Sequence, residues 1–424
     1  MNSREKWVGS KSLALLRQGP FRRYIIGSLI SDSGTWMQMM AQSWVMSALT
    51  NKAILLGLVN FAAGLPALAL APVAGSLADR LDKRKILVAT QVVQIIFAVA
   101  LGLLVMSGHI RIWHIIFFAL LLGIAFSYEM PAITALVPEL VKRDEIAAAV
   151  ALDRSVFHGS RLIGPSLAGF FVGWWGAASA FFSNALSFVA LIVALISLPK
   201  RPIGTPEEEQ QRRSGILEGF KYVRSNRIIL SLISLIALNT IFVFPAISVM
   251  LPLYVRNILH LGATTMGGLM AISGSGSFLG SIGLLGVARE NRLKFMTGNV
   301  LAIAVGVFLM SISQTFLLTA CAMGAIAIAL SMNFGLSNTI VQEQAPAHLR
   351  GRVSAVVGMS FFGLMPVAGL IIPGFADLIG MRTILTIASV IYGIAAFSVL
   401  SIAGRHVCDQ PVSAAPEPEI EPVC

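Results

Sequence analysis

Twelve long apolar segments, separated by short polar connectors, constrain this chain more than any other feature. They run over approximately 22–49, 54–78, 86–107, 112–137, 148–173 and 176–198, then 228–255, 262–287, 294–313, 316–341, 352–378 and 381–403. Each has roughly the ~20 residues that a helix needs to cross a bilayer. Each must be a helix, because hydrocarbon offers no partner to a backbone N–H or C=O. A β-barrel would show alternating segments of about ten residues instead, and the sequence has no such pattern. Composition agrees. Hydrophobic residues make up 56% and charged residues 12%, too little charge for a soluble surface. The expected fold is an all-α integral membrane protein with twelve transmembrane helices in two pseudo-symmetric six-helix bundles.

The net charge of +11 would point a soluble protein toward nucleic acid, but here the positive charge sits in connectors. If both termini are cytoplasmic, the inner connectors and tails hold 25 of the 31 Lys and Arg residues. Only Lys52, Arg111, Arg256 and Arg382 lie outside, and Arg154 and Arg161 fall within a span. That split obeys the positive-inside rule. The expectation is a multi-pass cell-membrane protein, in a bacterial inner membrane, with cytoplasmic termini, the bilayer as partner and no nucleic acid. The organisation follows: a cytoplasmic tail over 1–21, a bundle over 22–198, a cytoplasmic linker over 199–227, a second bundle over 228–403 and a tail over 404–424. The linker carries PIGTPEEEQQRR and an amphipathic ILEGFKYV; the last tail is rich in Pro and Glu and is expected to be disordered. The three cysteines, at 321, 408 and 424, and the six histidines show neither a disulfide framework nor metal-ligand spacing.

The halves look related. Glu139 matches Glu343 at an offset of 204, and Gly75 matches Gly283 at 208, which also pairs Arg84 with Arg292. A repeated six-helix unit reads as a transporter whose two bundles enclose a central site.

The connector GSLADRLDKRK, at 75–85, resembles the signature loop of the major facilitator superfamily, Gly-x-Leu-Ala-Asp-Arg-x-Gly-Arg-Lys. Gly75, Leu77, Ala78, Asp79, Arg80, Lys83 and Arg84 fit it, and Asp82 replaces the second Gly. FRRYIIGSLISDSGTWMQMMAQSW, PAITALVPELVKRDEIAAAVAL, RLIGPSLAGF and VQEQAPAHLRGRV resemble the drug/proton antiporter branch that includes the enterobactin exporter. The likeness covers roughly residues 20–400. It implies proton-coupled efflux of a small molecule (a siderophore, a drug or another amphipathic metabolite) by a functional monomer. The proton gradient is then the energy source, with no cofactor. The alternative is a facilitator-fold importer or symporter. An intramembrane hydrolase would need a base near Ser275, and none is evident. GSGSFLG at 274–280 lies inside an apolar span, so it reads as helix packing and not a nucleotide loop.

Within the signature loop, Gly75, Asp79, Arg80 and Arg84 are expected to form a conformational latch. Gly75 would admit another helix closely, and Asp79 could face the positive end of the eleventh helix near Arg352 to Ser354. On the fifth helix, Ser160, Gly164, Pro165 and Gly169 resemble the antiporter motif Gly-x8-Gly-x3-Gly-Pro-x2-Gly-Gly, which in the family goes with export. The fourth helix lacks the Arg motif of some other branches.

A charge at mid-bilayer costs about 2.5–3.5 kcal/mol or more, so each needs a reason. Asp32 lies about ten residues into the first helix, roughly 15 Å deep. Ser28, Asp32, Thr35, Met39 and Gln42 follow one helical face. Glu129 and Arg161 lie at similar depth on the fourth and fifth helices, and Arg154 shares a face with Arg161. One carboxylate is expected to carry the coupling proton while Arg161 tunes it; the alternative is a static Arg161–Glu129 pair. Gln38, Gln42, Asn239, Asn333 and Asn338 are candidates for the substrate path, and Phe242, Phe244, Phe361 and Phe362 for an apolar wall. Replacing Asp79 by Asn keeps every basic residue, so topology reporters should read unchanged. Transport should slow, by roughly 5–150-fold if the latch carries a typical coupling free energy of ~1–3 kcal/mol.

Overall fold

The computed structural model describes residues 15–198, 216–346 and 349–408, without the side chains of 71, 72, 78–80, 216–219, 285 and 403–408. The Pro- and Glu-rich tail, most of the N-terminal tail and most of the central linker lie outside the described residues, as do the side chains of Asp79 and Arg80. The first half contains α1 (Gly19–Leu49), α2 (Ala53–Arg80), α3 (Lys83–Met106), α4 (Ile112–Leu136), α5 (Ile146–Trp175) and α6 (Ala177–Ile196). A short helix, α7 (Ile216–Ser225), carries the amphipathic part of the linker. In the second half the seventh span is α8 (Arg227–Leu238) and α9 (Leu251–Asn257), joined by π-helical turns at Asn239–Val243 and Pro245–Val249. Then come α10 (Ala263–Gly283), α11 (Arg292–Ile312) and α12 (Phe316–Gln344). The eleventh span is α13 (Arg350–Gly358) and α14 (Met365–Ile379) around a π-helical turn at Met359–Gly363, and α15 (Met381–Cys408) is the twelfth.

All twelve expected spans are helices, and the two halves repeat one packing plan. In the first, α1 packs on α6, α2 on α4, and α3 on α4 and α6; in the second, α8 packs on α15, α10 on α12, and α11 on α12 and α15. Among the described residues nine spans are apolar enough by themselves to cross a membrane. The first, fifth and eighth are long enough but carry too many polar and small residues. A helix like that is stable in a bilayer only where other helices or a water-filled space cover its polar side. Outward faces are apolar, as at Leu186, Leu317, Leu378 and Ile394. Trp113, Trp174 and Trp175 are exposed at the end opposite the termini, where an aromatic belt meets the lipid interface.

The charged connectors repeat as well. Lys83 at the start of α3 pairs with Glu139 at 2.7 Å, and Arg292 at the start of α11 pairs with Glu343 at 2.8 Å. Arg84 donates to the Leu198 carbonyl at the end of α6, 2.5 Å away. The latch expectation changes in part. Arg84 is tied inside its own half, and a Cβ on Gly75 would meet nothing within 4 Å.

The halves close on each other at the end opposite the termini. There α2 crosses α14 and α5 crosses α10, with glycine at both crossings. Gly57 sits against the Gly369 carbonyl, and a Cβ on Gly267 would lie 2.7 Å from the Gly169 Cα. Backbones this close gain packing and weak interhelical contacts that larger side chains would prevent. Asp377 of α14 accepts from the N–H groups of Ala53 and Ile54 at 2.6 and 2.9 Å, so one half caps a helix of the other. Arg256 donates to the Ser47 carbonyl, and Asn257 reaches Asn51 at 3.4 Å. Replacing Asp377 by Ala should remove about 1 kcal/mol of capping, roughly a fivefold shift away from this closed end. In a background lacking the native cysteines, a disulfide between cysteines placed at 51 and 257 should form correspondingly less.

Candidate functional site

The side of α1 turned toward α6 is fixed by close packing. Gly27 approaches Ala194, and Gln38 accepts from Asn184 at 2.8 Å. Helical geometry then sends Asp32, Thr35 and Met39 to the side away from α6. Asp32 and Thr35 are half-buried, and Met39 is exposed. Ser28 donates to Asp32 at 3.0 Å. Gln38 and Gln42 were expected along the path but are buried. Gln38 faces α6, and Gln42 donates to the Ile115 carbonyl at 3.4 Å. They serve helix packing because their azimuth, which depth does not report, points them at neighbours.

Glu129 is buried between α3 and α4. It accepts from Gln91 at 2.8 Å and from Gln94 at 2.6 Å, while Ser31 of α1 donates to Gln91 at 3.2 Å. The Arg161–Glu129 pair weighed from depth does not form. Arg161 instead stands over the Trp36 ring, 5.0 Å from its centroid. Asp153 is buried at the α1–α5 contact and accepts from the Tyr24 hydroxyl at 2.9 Å. Asp32 lies within electrostatic reach of Glu129, Asp153 and Arg154. Elements α1, α3, α4 and α5 thus gather three acids in the first half, Asp153 with Tyr24 about two turns nearer the termini than Asp32, and each acid accepts from a neutral donor.

The fifth-helix motif is a two-sided seam. Gly164 fits against Trp36 and Ser33 of α1, and Ser160 lies 3.4 Å from Ser33. On the other side, Pro165 and Gly169 meet Gly267 of α10, and Thr264 donates to the Gly169 carbonyl at 3.3 Å. Arg154 and Arg161 project between these two contact faces. The lipid side of the helix carries the exposed Ile163 and Phe170.

The second half answers with aromatic and neutral polar groups. Trp36 stands seventeen residues into its span, and Phe244 seventeen residues into the related seventh span. Phe244 contacts Phe361 edge to face, and Phe361 contacts Phe334 and Phe362, so three of the four expected wall residues form one cluster. The remaining one, Phe242, is partly buried. The π-helical turns at 239–243 and 359–363 present these rings, and such turns concentrate at functional sites. Asn239 accepts from Tyr392 at 2.8 Å, Asn333 is fully buried without a hydrogen-bond partner, and Asn338 is half-buried beside Gln342 and Glu343. At the repeat offsets of 204 and 208, Glu129 and Gln91 fall on Asn333 and Asn299. The acid-bearing node of the first half therefore has a neutral counterpart in the second.

Gln91, Gln94, Tyr24, Trp36 and Asp377 escaped the sequence reading. The glutamines had a signal: two amides three residues apart in an otherwise apolar span. Asp377 had none, because its partners are backbone groups more than 300 residues away.

Residues 10–423 match the family described as transmembrane secretion effectors, a branch of the major facilitator superfamily. The multidrug efflux pump Tap of Mycolicibacterium fortuitum is 23% identical over 378 residues, which is 86% of this chain and 91% of that one. The staphyloferrin A transporter of Staphylococcus aureus is 27% identical over a shorter region, 44% of this chain and 47% of that one. The crystal structure of a point mutant of the nucleoside transporter NupG superposes with a TM-score of 0.71 at 15% identity, covering 91% of this chain and all of that one. Matching of the family along nearly the whole length, on a twelve-helix fold of the same architecture, places this membrane transporter in the transmembrane secretion effector family of the major facilitator superfamily.

Proposed function

We propose that the chain is a proton-coupled exporter of a small amphipathic molecule that works by alternating access. Relatives that are efflux pumps support the direction. The observation that carries the coupling is Glu129, a buried carboxylate held by two glutamine amides and by no cation among the described residues. A carboxylate paired with a cation is locked in its charged form. One held by neutral donors can take up a proton without leaving a buried cation behind. Asp32 is half-buried and lies within electrostatic reach of Glu129. Loading one therefore alters the proton affinity of the other, which is the linkage an antiporter needs.

The cycle follows from the packing. With the termini cytoplasmic, the contacts through Asp377, Gly57 and Gly267 close the outer end while substrate enters from inside. Substrate and proton then exchange as the bundles rock about the central site. The small-residue seams on α2 with α14 and on α5 with α10 let the same helices separate and re-form without repacking large side chains. Arg154, Arg161 and the acids stay on one rigid half, so the movement changes their access and leaves their mutual geometry intact.

Proteoliposomes carrying a pH-sensitive dye test this directly, with 1-naphthalenesulfonate and ethidium as probe substrates of opposite charge. A transported probe should drive proton flux in the opposite direction. Asp32→Asn and Glu129→Gln should each reduce that flux about tenfold or more while probe exchange down its own gradient persists, since only the coupling step is lost. Proton and probe moving in the same direction would make the protein a symporter instead.

A further inference from the structure

In the first half the three acids inside the bundle take neutral hydrogen-bond donors, and the arginines of α5 are left without an acid in contact among the described residues. Asp32 accepts from Ser28, Glu129 from Gln91 and Gln94, and Asp153 from Tyr24. No acid pairs with Arg161 or Arg154 within 4 Å among the described residues. Among the described residues Arg161 stands over the Trp36 ring, and it is exposed although it sits midway along a spanning helix. His158, one turn away, is also exposed and within electrostatic reach of both arginines. The three therefore concentrate donors on the inner side of α5.

Repeat geometry puts an apolar surface across from them. Trp36 and Phe244 hold equivalent places in the first and seventh spans. Arg161 and Phe362 lie within about one turn of equivalence in the fifth and eleventh, which run 146–175 and 350–379. Phe334, Phe361 and Phe362 extend that surface, and Phe334 and Phe362 are exposed.

We infer that the central site selects an organic anion with an aromatic body: its acidic group meets Arg161 and Arg154, and its ring lies against the cluster of Phe244, Phe334, Phe361 and Phe362. The inference rests on the transporter reading and narrows it to one sign of charge. Guanidinium favours carboxylate, sulfonate and catecholate oxygens because its fork donates two parallel hydrogen bonds. The same feature links substrate to conformational change. Water hydrates Arg161 while the space is accessible, but closing both ends would strand an unpaired cation at a cost of several kcal/mol. A bound anion removes that cost, so the loaded carrier occludes readily and the unloaded carrier does not.

The test uses the full-length protein in lipid nanodiscs and two probes with one ring system and opposite charge, 1-naphthalenesulfonate and 1-naphthylmethylammonium, with binding followed by calorimetry. The anion should bind at least about tenfold more tightly than the cation. Arg161→Gln should cost the anion about tenfold in affinity and leave the cation within twofold, and Arg161→Lys should recover part of the loss. Phe362→Ala should weaken both probes alike, a readout that does not depend on the arginine variants folding. Equal or tighter binding of the cation, or anion binding indifferent to Arg161→Gln, would overturn the inference. Ethidium-driven, Glu129-dependent proton flux without anion binding would leave the exporter reading standing and remove only this inference. Arg161-dependent anion binding without proton flux would do the reverse.

Discussion

Hydrocarbon cannot hydrogen-bond to a peptide group, and the rest of this structure depends on that. It makes each apolar segment a helix and forbids the chain to leave helical geometry in contact with lipid. The π-helical turns of the seventh and eleventh spans respect the rule, since they keep their backbone hydrogen bonds while shifting the register of side chains. It also explains which helices look least like membrane spans. The first, fifth and eighth are the most polar or the richest in small residues, and they lie where the halves meet or where the acids gather.

The two halves share a plan but divide the chemistry. The first carries Asp32, Glu129, Arg154 and Arg161 on unbroken helices, which suits groups whose relative positions must hold. The second carries Asn333 and Asn299 where the first has Glu129 and Gln91, and it places π-helical turns where the first has regular helix. A transporter with one charged and one apolar, irregular wall can bind an amphipathic molecule across the gap.

Most of the fold was legible in the residues. Segment length and hydrophobicity located twelve spans, and the Lys and Arg distribution proposed their direction. The offset linking Glu139 to Glu343 anticipated the repeat, and both acids take an ion pair from the start of the related helix, though in the first half Lys83 and not Arg84 supplies the cation. The site was legible only in one coordinate. Counting residues along a helix gives an expected depth, and it put Asp32, Glu129 and Arg161 at one level. It does not give azimuth relative to neighbours. Gln38 and Gln42 therefore looked like path residues and proved to be packing residues, and Glu129 looked like a partner for Arg161 and bonds to Gln91 and Gln94 instead.

The sequence by itself determined the number of spans and the internal repeat, because each follows from the helical rise and the solvent preference of single residues. Only the tertiary structure decided which charges meet. Glutamines of α3 claim Glu129, Tyr24 claims Asp153, and Trp36 faces Arg161. The reason is physical: in a low-dielectric interior an interaction worth several kcal/mol at contact is lost when a helix turns a side chain to another face. Rotation about helix axes is set by close packing between segments far apart in the chain, at glycines such as Gly27, Gly164 and Gly267.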